Sequence, residues 1–598
     1  MKSPLRRSLE RLALLMLGVV LEMLAQPPGP VPLLIFVQDA PFLLLLWHAG
    51  GVAWKRWAYL YAFAKFAVGL HWLSAVHVGM PFGAAAVLAS LYLLFGASIK
   101  FLVRRGMPFL LTVGVMAALE EIGQTVVQGA SGMPWPQRSL AFTAWEGLTG
   151  SACVLGAYGL SALAAMTSAW ASGIPSLRLR DGYRVERARR LIASGVVLGI
   201  LILAAQLRGS LRVSSVDGRL ESGDAFTTAP LVLIQPNIEQ SLKNHHGERS
   251  SAEQILAIQE NLTKEALLEM ADHRLTPLAV VWPETMIPYH FVSPEIAKRF
   301  PEAWESEYNV IGHLAGTVPP GMSARFLVGA NYLIEGRTGR HADYPDHDSM
   351  DSYFFIDPSR WPQTLPPPGE APWFVSPARH DKATLVPWGE YTPGGSIFPP
   401  LEHLRGAISI IPELTAGPGD EAPFVLAIAP PRRAGFANRE VRAGTIICFE
   451  IAFPSRCRAW RNRGAGVLLN PANYAWYGDS EMPSQVIALG KLRAAELNVS
   501  VVIAGNSGPT AILDPAGRIT AEVRSGGRTQ FVPGFCRGPL VIDPDYETLY
   551  CAVGDVPWFG AGIVLFGLAL RRKGRRSSGS SAPEGRSEPG SAKAVTRP

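Results

Sequence analysis

The chain has 598 residues, too many for one compact domain, and is 48% hydrophobic but only 17% charged. Ordinary soluble domains carry roughly 25% charged residues, so part of this chain is not solvated by water. The net charge of +6 does not point to nucleic acid, because the Lys and Arg residues sit between apolar runs and form no basic face or stripe.

The apolar excess gathers in the first 206 positions and in a short stretch near the C-terminus. A membrane helix needs about 20 mostly apolar residues. Spans are expected at residues 9–25, 31–47, 57–76, 82–101, 108–128, 140–171 and 191–207, with a shorter eighth at 556–570. Glu22 and Asp39 lie inside the first two. Lys2, Arg6 and Arg7 precede the first span as they would in a signal peptide, but no small-x-small cleavage site follows and further spans come at once.

Lys and Arg are retained on the cytoplasmic side of a membrane. Lys2, Arg6 and Arg7 precede the first span, Lys55 and Arg56 follow the second, and Lys100, Arg104 and Arg105 follow the fourth. Arg178, Arg180, Arg184, Arg187, Arg189 and Arg190 follow the sixth, and Arg571, Arg572, Lys573, Arg575 and Arg576 follow the last. The alternate loops near 78–83 and 130–139 hold almost none, Arg138 being the exception. The pattern predicts a bundle over 1–207, an outer domain over 208–555 and a last helix over 556–570, with both termini inside. A tail over 571–598, rich in Ser, Gly, Pro and Arg, is expected to be disordered.

Between the seventh and eighth spans the pattern changes to short apolar runs broken by turns. Residues 231–235, 279–282, 326–330, 445–448, 466–469, 499–504 and 510–513 read as buried strands. Residues 251–270 and 483–497 read as amphipathic helices. Strands alternating with helices indicate an α/β domain, and the Pro-rich stretch 359–372 reads as an irregular surface loop.

Three of the apolar runs end in a reactive residue. Val-Val-Trp-Pro-Glu puts Glu284 just past a strand that Pro283 halts. Asp-Lys-Ala-Thr-Leu-Val-Pro-Trp-Gly-Glu-Tyr-Thr-Pro sets Lys382 and Glu390 around a second apolar core. Gly-Thr-Ile-Ile-Cys-Phe-Glu ends a third run at Cys448, with Glu450 two residues on. Strand ends are where open α/β sheets gather their sites. A carboxylate can take the proton of a thiol, and an ammonium can stabilise the thiolate and then a tetrahedral oxyanion. Such a trio supports an acyl-thioester route that needs no metal or cofactor. Taken singly, a Cys after Ile-Ile is a small buried hydrophobe, a Glu after Trp-Pro a helix-start carboxylate and a Lys a solvated charge. The combination in order is what points to chemistry. The other cysteines, Cys153, Cys457, Cys536 and Cys551, form no CxxC pair and no zinc spacing with Cys or His. Cys536 and Cys551 lie in the outer domain, where a bridge between them is open, whereas Cys448 must remain a thiol to react.

These flanks resemble the nitrilase superfamily, in which Glu, Lys and Cys appear in that order. More narrowly they resemble the apolipoprotein N-acyltransferase family, its membrane-embedded branch. Ile-Gln-Pro-Asn-Ile at 234–238 is similar to the family's first strand, and Leu-Val-Pro-Trp-Gly-Glu-Tyr-Thr-Pro at 385–393 to its hallmark around the second Glu. Cys-Phe-Glu at 448–450, Asn-Tyr-Ala-Trp-Tyr-Gly-Asp-Ser at 473–480, Arg-Ala-Ala-Glu at 493–496 and Asn506-Ser507-Gly508 are similar to further family blocks. In the membrane part, Gly69–Trp72, Met133-Pro134-Trp135 and Gly156–Ser161 also match, so the resemblance covers roughly residues 9–570. Three positions depart from it: Tyr474 stands for Asp, Ile503 for Arg, and Asp351-Ser352 for an Asn-Ser pair.

The resemblance implies an αββα sandwich outside the membrane and a ping-pong transfer of an acyl chain from a phospholipid to the N-terminal amine of a diacylglyceryl-cysteine lipoprotein. It implies Glu284 as base, Lys382 as oxyanion partner and Cys448 as nucleophile. Glu390 and Glu450 would support them, and Trp388, Phe449 and Trp476 would border the acyl and lipid substrates. The location implied is a bacterial inner membrane, with the catalytic domain on the periplasmic side. A membrane-tethered amidase or nitrilase, and a non-enzymatic scaffold of the same fold, are the alternatives.

Overall fold

The computed structural model describes residues 4–48, 53–126, 134–173, 184–244, 249–336, 347–360, 364, 367, 375–394, 413–429 and 439–572. The membrane part is helical: α1 (Pro4–Ala25), α2 (Ala40–His48), α3 (Ala53–Gly69), α4 (Met80–Arg104), α5 (Phe109–Val126), α6 (Glu146–Gly150), α7 (Ala152–Gly173) and α8 (Arg184–Glu221). Among the described residues, α4, α7 and α8 are long and apolar enough to cross a membrane. Most of the apolar stretch of α7 is buried inside the protein and almost none of that of α8 is, so α7 forms the bundle's centre and the apolar stretch of α8 an exposed edge.

Three expected spans differ in form. The stretch 31–47 is a 3-10 turn over Pro32–Phe36 followed by α2. The stretch 57–76 is helical to Gly69 and then a 3-10 turn over His71–Ala75. The stretch 140–171 opens as a 3-10 turn over Arg138–Ala144 and becomes a long helix only from Ala152, kinked at Gly156, whose φ is 65°. Polar side chains supply a reason for the breaks. Arg138 donates to Asp39 Oδ2 at 2.7 Å, Glu121 Oε1 at 2.8 Å and Glu120 Oε2 at 3.1 Å, and Lys65 lies 3.2 Å from Glu22. All six are buried. Buried charges persist only when paired, and Arg138 is held in the interior by Asp39, Glu120 and Glu121.

The rest of the described chain is built on two stacked sheets. The first has the order β13-β1-β2-β4-β5-β6, with β3 beside β4; the second has the order β12-β11-β10-β9-β8-β7. The strands are β1 (Phe226–Gln235), β2 (Val280–Val281), β3 (Phe291–Val292), β4 (Phe326–Glu335), β5 (His347–Ile356), β6 (Val375–Asp381), β7 (Phe424–Ala429), β8 (Arg439–Thr445), β9 (Val467–Ala472), β10 (Ser500–Gly505), β11 (Ala511–Leu513), β12 (Ile519–Glu522) and β13 (Gly534–Ile542). The central trios β1-β2-β4 and β8-β9-β10 are parallel, and antiparallel strands flank them. Parallel strands buried on both faces read as continuous apolar runs. In β1, Leu231 and Leu233 join the core between the sheets while Val232 and Ile234 join the core beneath the outer helices.

The helices of this part are α9 (Gln240–Asn244), α10 (Arg249–Asp272), α11 (Pro294–Arg299), α12 (Pro301–Thr317), α13 (Pro454–Asn462), α14 (Met482–Leu497) and α15 (Leu549–Val553), and α16 (Val556–Arg571) returns to the bundle. Helices α10 and α12 cover the first sheet. Helix α14 covers the second sheet and packs its other side on α7, giving a helix–sheet–sheet–helix sandwich whose last layer rests on the membrane bundle. The residue run 445–448, expected as a strand, leaves the ladder at Thr445 and turns at Cys448 (φ 51°) into a 3-10 segment, Cys448–Ala452. Strands β5 and β13 were not expected. All five cysteines are buried and unbridged, Cys536 on β13 and Cys551 on α15. Most of the Pro-rich stretch, and the tail from 573 on, lie outside the described residues.

Candidate active site

Glu284 follows the two-residue β2, which ends because Pro283 has no N–H to continue the ladder. The turn is pinned on both sides: Trp282 Nε1 donates to Thr263 Oγ1 at 3.0 Å, and the Tyr353 hydroxyl donates to the Trp282 carbonyl at 2.8 Å. A Cβ on Gly329 of β4 would come within 2.5 Å of the Thr285 nitrogen, so only glycine lets this turn pass so close. Lys382 follows β6 and is fully buried. Its Nζ donates to Glu390 Oε1 at 2.6 Å, to Glu284 Oε1 at 2.7 Å and to Asp351 Oδ2 at 3.4 Å. The other Glu284 oxygen accepts from the Asn473 backbone N–H at 2.8 Å, and the other Glu390 oxygen from Val386 N–H at 2.9 Å.

Cys448 sits at the tip of its turn in a left-handed conformation that β-carbon residues adopt rarely. Asn470 Nδ2 donates to its carbonyl at 2.9 Å, and the Tyr474 hydroxyl donates to Asn470 Oδ1 at 2.9 Å. The Glu450 carboxylate accepts from Ala383 N at 3.0 Å, Thr384 N at 2.8 Å and Ile447 N at 2.9 Å. It thereby clamps the segment after Lys382 to the segment before Cys448. Phe449 is buried edge-on against Phe453 with ring centroids 5.1 Å apart. Trp388 (φ 64°) and Trp476 are half-buried on the turns after β6 and β9. The neighbour of Trp476, Tyr477, stands edge-on against Trp72 of the bundle, centroids 4.8 Å apart.

A family model for the apolipoprotein N-acyltransferase N-terminal domain matches residues 18–170, and one for carbon-nitrogen hydrolase matches residues 364–530. The apolipoprotein N-acyltransferase of Geobacter metallireducens is 28% identical over 575 residues, covering 93% of this chain and 94% of that one. That of Allorhizobium ampelinum is 28% identical over 510 residues, covering 81% and 82%. The chain is thus similar to apolipoprotein N-acyltransferases over most of its length. Among solved structures, an amidase from Nesterenkonia sp. AN1 is 13% identical with a TM-score of 0.30, covering 56% of this chain and 99% of that one. A nitrilase-superfamily member of Saccharomyces cerevisiae is 15% identical with a TM-score of 0.31, covering 56% and 96%.

Two departures from the family pattern now have a structural account. Tyr474 is buried and, through Asn470, holds the Cys448 carbonyl. Ile503 lies on β10 and fills the space above Gly490 of α14, as apolar core. The third, Asp351, is part of the site. The carboxylates of Glu284, Asp351 and Glu390 lie within 4.8 Å of one another, the spacing of a cation site, and the Lys382 ammonium lies among them.

Burial alone would push Glu284 up, but the Lys382 charge and the hydrogen bonds from Asp351, Lys382 and the Asn473 N–H outweigh it and hold the carboxyl down to about 2. Burial, reinforced by the neighbouring Glu284 charge, pushes Asp351 far up, so it keeps its proton and donates to Glu284. Burial would lower Lys382, yet Glu284 and Glu390 hold it well above the usual lysine value. Burial and the Glu284 charge push the Cys448 thiol well up. The resting site is therefore a neutral thiol beside a carboxylate–ammonium pair. Sequence reasoning passed over the Asn473 N–H and the role of Asp351, whose one signal was its departure from the family pair.

Proposed function

We propose that this chain transfers a fatty acyl chain from a phospholipid to the N-terminal amine of a diacylglyceryl-cysteine lipoprotein, through a thioester on Cys448. One observation carries the reading. Gln137, at the membrane entry of the bundle, donates through Nε2 to the carbonyl of Ala452, the last residue of the Cys448 turn, at 3.0 Å. A nucleophile whose own turn is tied to a membrane segment suits a substrate that arrives in the bilayer.

In the first half-reaction Cys448 sulfur attacks the ester carbonyl as Glu284 takes the thiol proton. The oxyanion is stabilised by Lys382 and backbone N–H groups. Collapse breaks the ester C–O bond, and the lysophospholipid leaves with the proton that Glu284 held. In the second, the acceptor amine attacks the thioester. The C–S bond breaks, and Glu284 returns a proton from nitrogen to sulfur. Glu390, 2.6 Å from Lys382 Nζ, and Glu450 hold the geometry. Trp388, Phe449 and Trp476 border the lipid substrates. The reading takes residues 1–207 and 556–570 as eight spans of a bacterial inner membrane, 208–555 as the periplasmic domain, 571–598 as a cytoplasmic tail and both termini as cytoplasmic.

Thioesters resist water better than amines, so protein given phospholipid without lipopeptide should accumulate an acyl adduct. Intact-mass analysis should find a fatty acyl group on Cys448 that neutral hydroxylamine releases, absent from Cys448→Ala and from Glu284→Gln. No adduct with steady release of free fatty acid would replace the transferase with a hydrolase. Neither product would leave a scaffold.

A further inference from the structure

A second lysine reaches the same cluster. Helix α9 lies between β1 and α10, and Lys243 on it donates through Nζ to Thr285 Oγ1 at 2.9 Å, one residue past Glu284. The helix is fastened to the site a second time. Gln240 Oε1 accepts from Asn473 Nδ2 at 3.0 Å, and the backbone N–H of that same Asn473 binds Glu284. Lys243 therefore stands beside the Glu284 end of the cluster, hydrogen-bonded one residue along the chain from that carboxylate. The titratable groups facing it are Glu284 after β2, Asp351 on β5 and Cys448 after β8. Glu239 precedes its own helix, and the packed helix α10 offers Ser251 and Ile258 to an open hollow of about 570 Å³ that Ser241 and Leu242 also line.

We infer that Lys243 is the base that takes a proton from the acceptor's α-ammonium before it attacks the thioester, an inference that rests on the acyl-transfer reading. The proton balance leaves a place for such a group. An acylated Cys448 and an ammonium acceptor give a thiol, an amide and one proton more. Glu284 carries the proton that passes from nitrogen to sulfur. The other must leave the ammonium first, because an ammonium has no lone pair to attack with.

The candidates differ in basicity. An α-amino group titrates near about 8. Partial burial lowers Lys243 to about 8 against the opposing charge of Glu284, so proton transfer to it from the acceptor is nearly level. Transfer to Glu284, held at about 2, is unfavourable on the order of a millionfold. Lys382 already holds its proton among carboxylates. Lys243 is only partly buried and can pass the proton on to water.

The test uses the full-length protein in detergent, acylated with labelled phospholipid, then mixed with either a diacylated lipopeptide or hydroxylamine. Hydroxylamine is uncharged at neutral pH and needs no base. Lys243→Met should form acyl-Cys448 near the wild-type rate and discharge normally to hydroxylamine. It should discharge to the lipopeptide about a hundredfold more slowly, without the wild-type rise of rate towards pH 8. Lys243→Arg keeps the charge but cannot release its proton and should show the same loss. Rescue by Arg, an equal loss with both nucleophiles, or a parallel loss of acylation would overturn the assignment. Absence of acyl-Cys448 in the wild type would instead sink the transfer reading, and this inference with it.

Discussion

Around Lys382 the charges do not balance in pairs. One ammonium meets Glu284, Glu390 and Asp351, and burial makes each uncompensated charge costly. The site settles by keeping a proton on Asp351, raised by burial and by the Glu284 charge. Lys382→Met removes the ammonium that lies 2.7 Å from Glu284, together with the proposed oxyanion partner. Acylation of Cys448 should slow by at least about a hundredfold, and Arg should not restore it fully, since a planar fork differs from a compact ammonium. The buried carboxyls would then hold protons in the fold that they release when unfolded. The variant should therefore match wild-type thermal stability best at low pH and lose ground as pH rises. Near-normal acylation in Lys382→Met would assign the electrophile elsewhere. Glu284 and Cys448 were legible in the sequence because each closes an apolar run, and Lys382 because it opens the distinctive run that leads to Glu390. Asp351 and Lys243 were not, since one lies mid-strand among polar residues and the other on a short helix that reads as solvated.

At the scale of elements, the strands that were legible are those buried on both faces, such as β1, β4, β9 and β10. Strand β5, His-Asp-Ser-Met-Asp-Ser-Tyr-Phe-Phe-Ile, hides its pairing behind polar residues, of which Asp351 reaches Lys382. Strand β13 hides behind Gly534, Arg537, Gly538 and Pro539. Burial also escapes composition in α12, where Glu307 looks like a solvated charge on an amphipathic helix. It is buried against β3, where it accepts from Val292 N–H at 3.2 Å, and burial pushes its carboxyl up to about 8. Its folded value lies above the ordinary 4.5, so the folded state binds a proton that the unfolded state releases in between. The stability it lends is complete below the ordinary value and is lost as pH rises towards 8. Glu307→Gln keeps the shape without the titration. The difference in melting temperature between variant and wild type should therefore grow in the variant's favour from pH 5 to pH 8. A constant difference would mean that Glu307 is ionised in the fold.

At the scale of the whole molecule, the alternation of apolar runs and basic loops was legible, but the seating of the domain on the bundle was not, because it depends on pairs far apart in sequence. Ala157, just past the Gly156 kink in α7, donates its backbone N–H to Glu496 Oε1 on α14 at 2.6 Å. Helix α8 has 38 residues, about 57 Å at 1.5 Å per residue, nearly twice a hydrocarbon core of about 30 Å. Its far half rises along the domain: Arg212 meets Asn498, Arg219 pairs with Asp543 at 2.7 and 2.9 Å, and Asp217 pairs with Arg518 at 2.6 Å. Arg residues thus stand at both ends of α8, but in different roles. Arg178, Arg180, Arg184, Arg187, Arg189 and Arg190 precede its apolar stretch and outnumber Arg208, Arg212 and Arg219 beyond it, and orientation follows the larger cluster. A reporter fused after Leu207 should therefore report the extracytoplasmic side, and one after Arg576 the cytoplasm. Neutralising Arg187, Arg189 and Arg190 should move part of the Leu207 fusion inside. Neutralising Arg212 and Arg219 in the full-length protein should leave sidedness unchanged and lower the melting temperature, since those two hold the domain to its stalk. A cytoplasmic reporter at Leu207 with all charges in place would turn the molecule over and put the Cys448 site on the wrong side of the membrane for a periplasmic reaction.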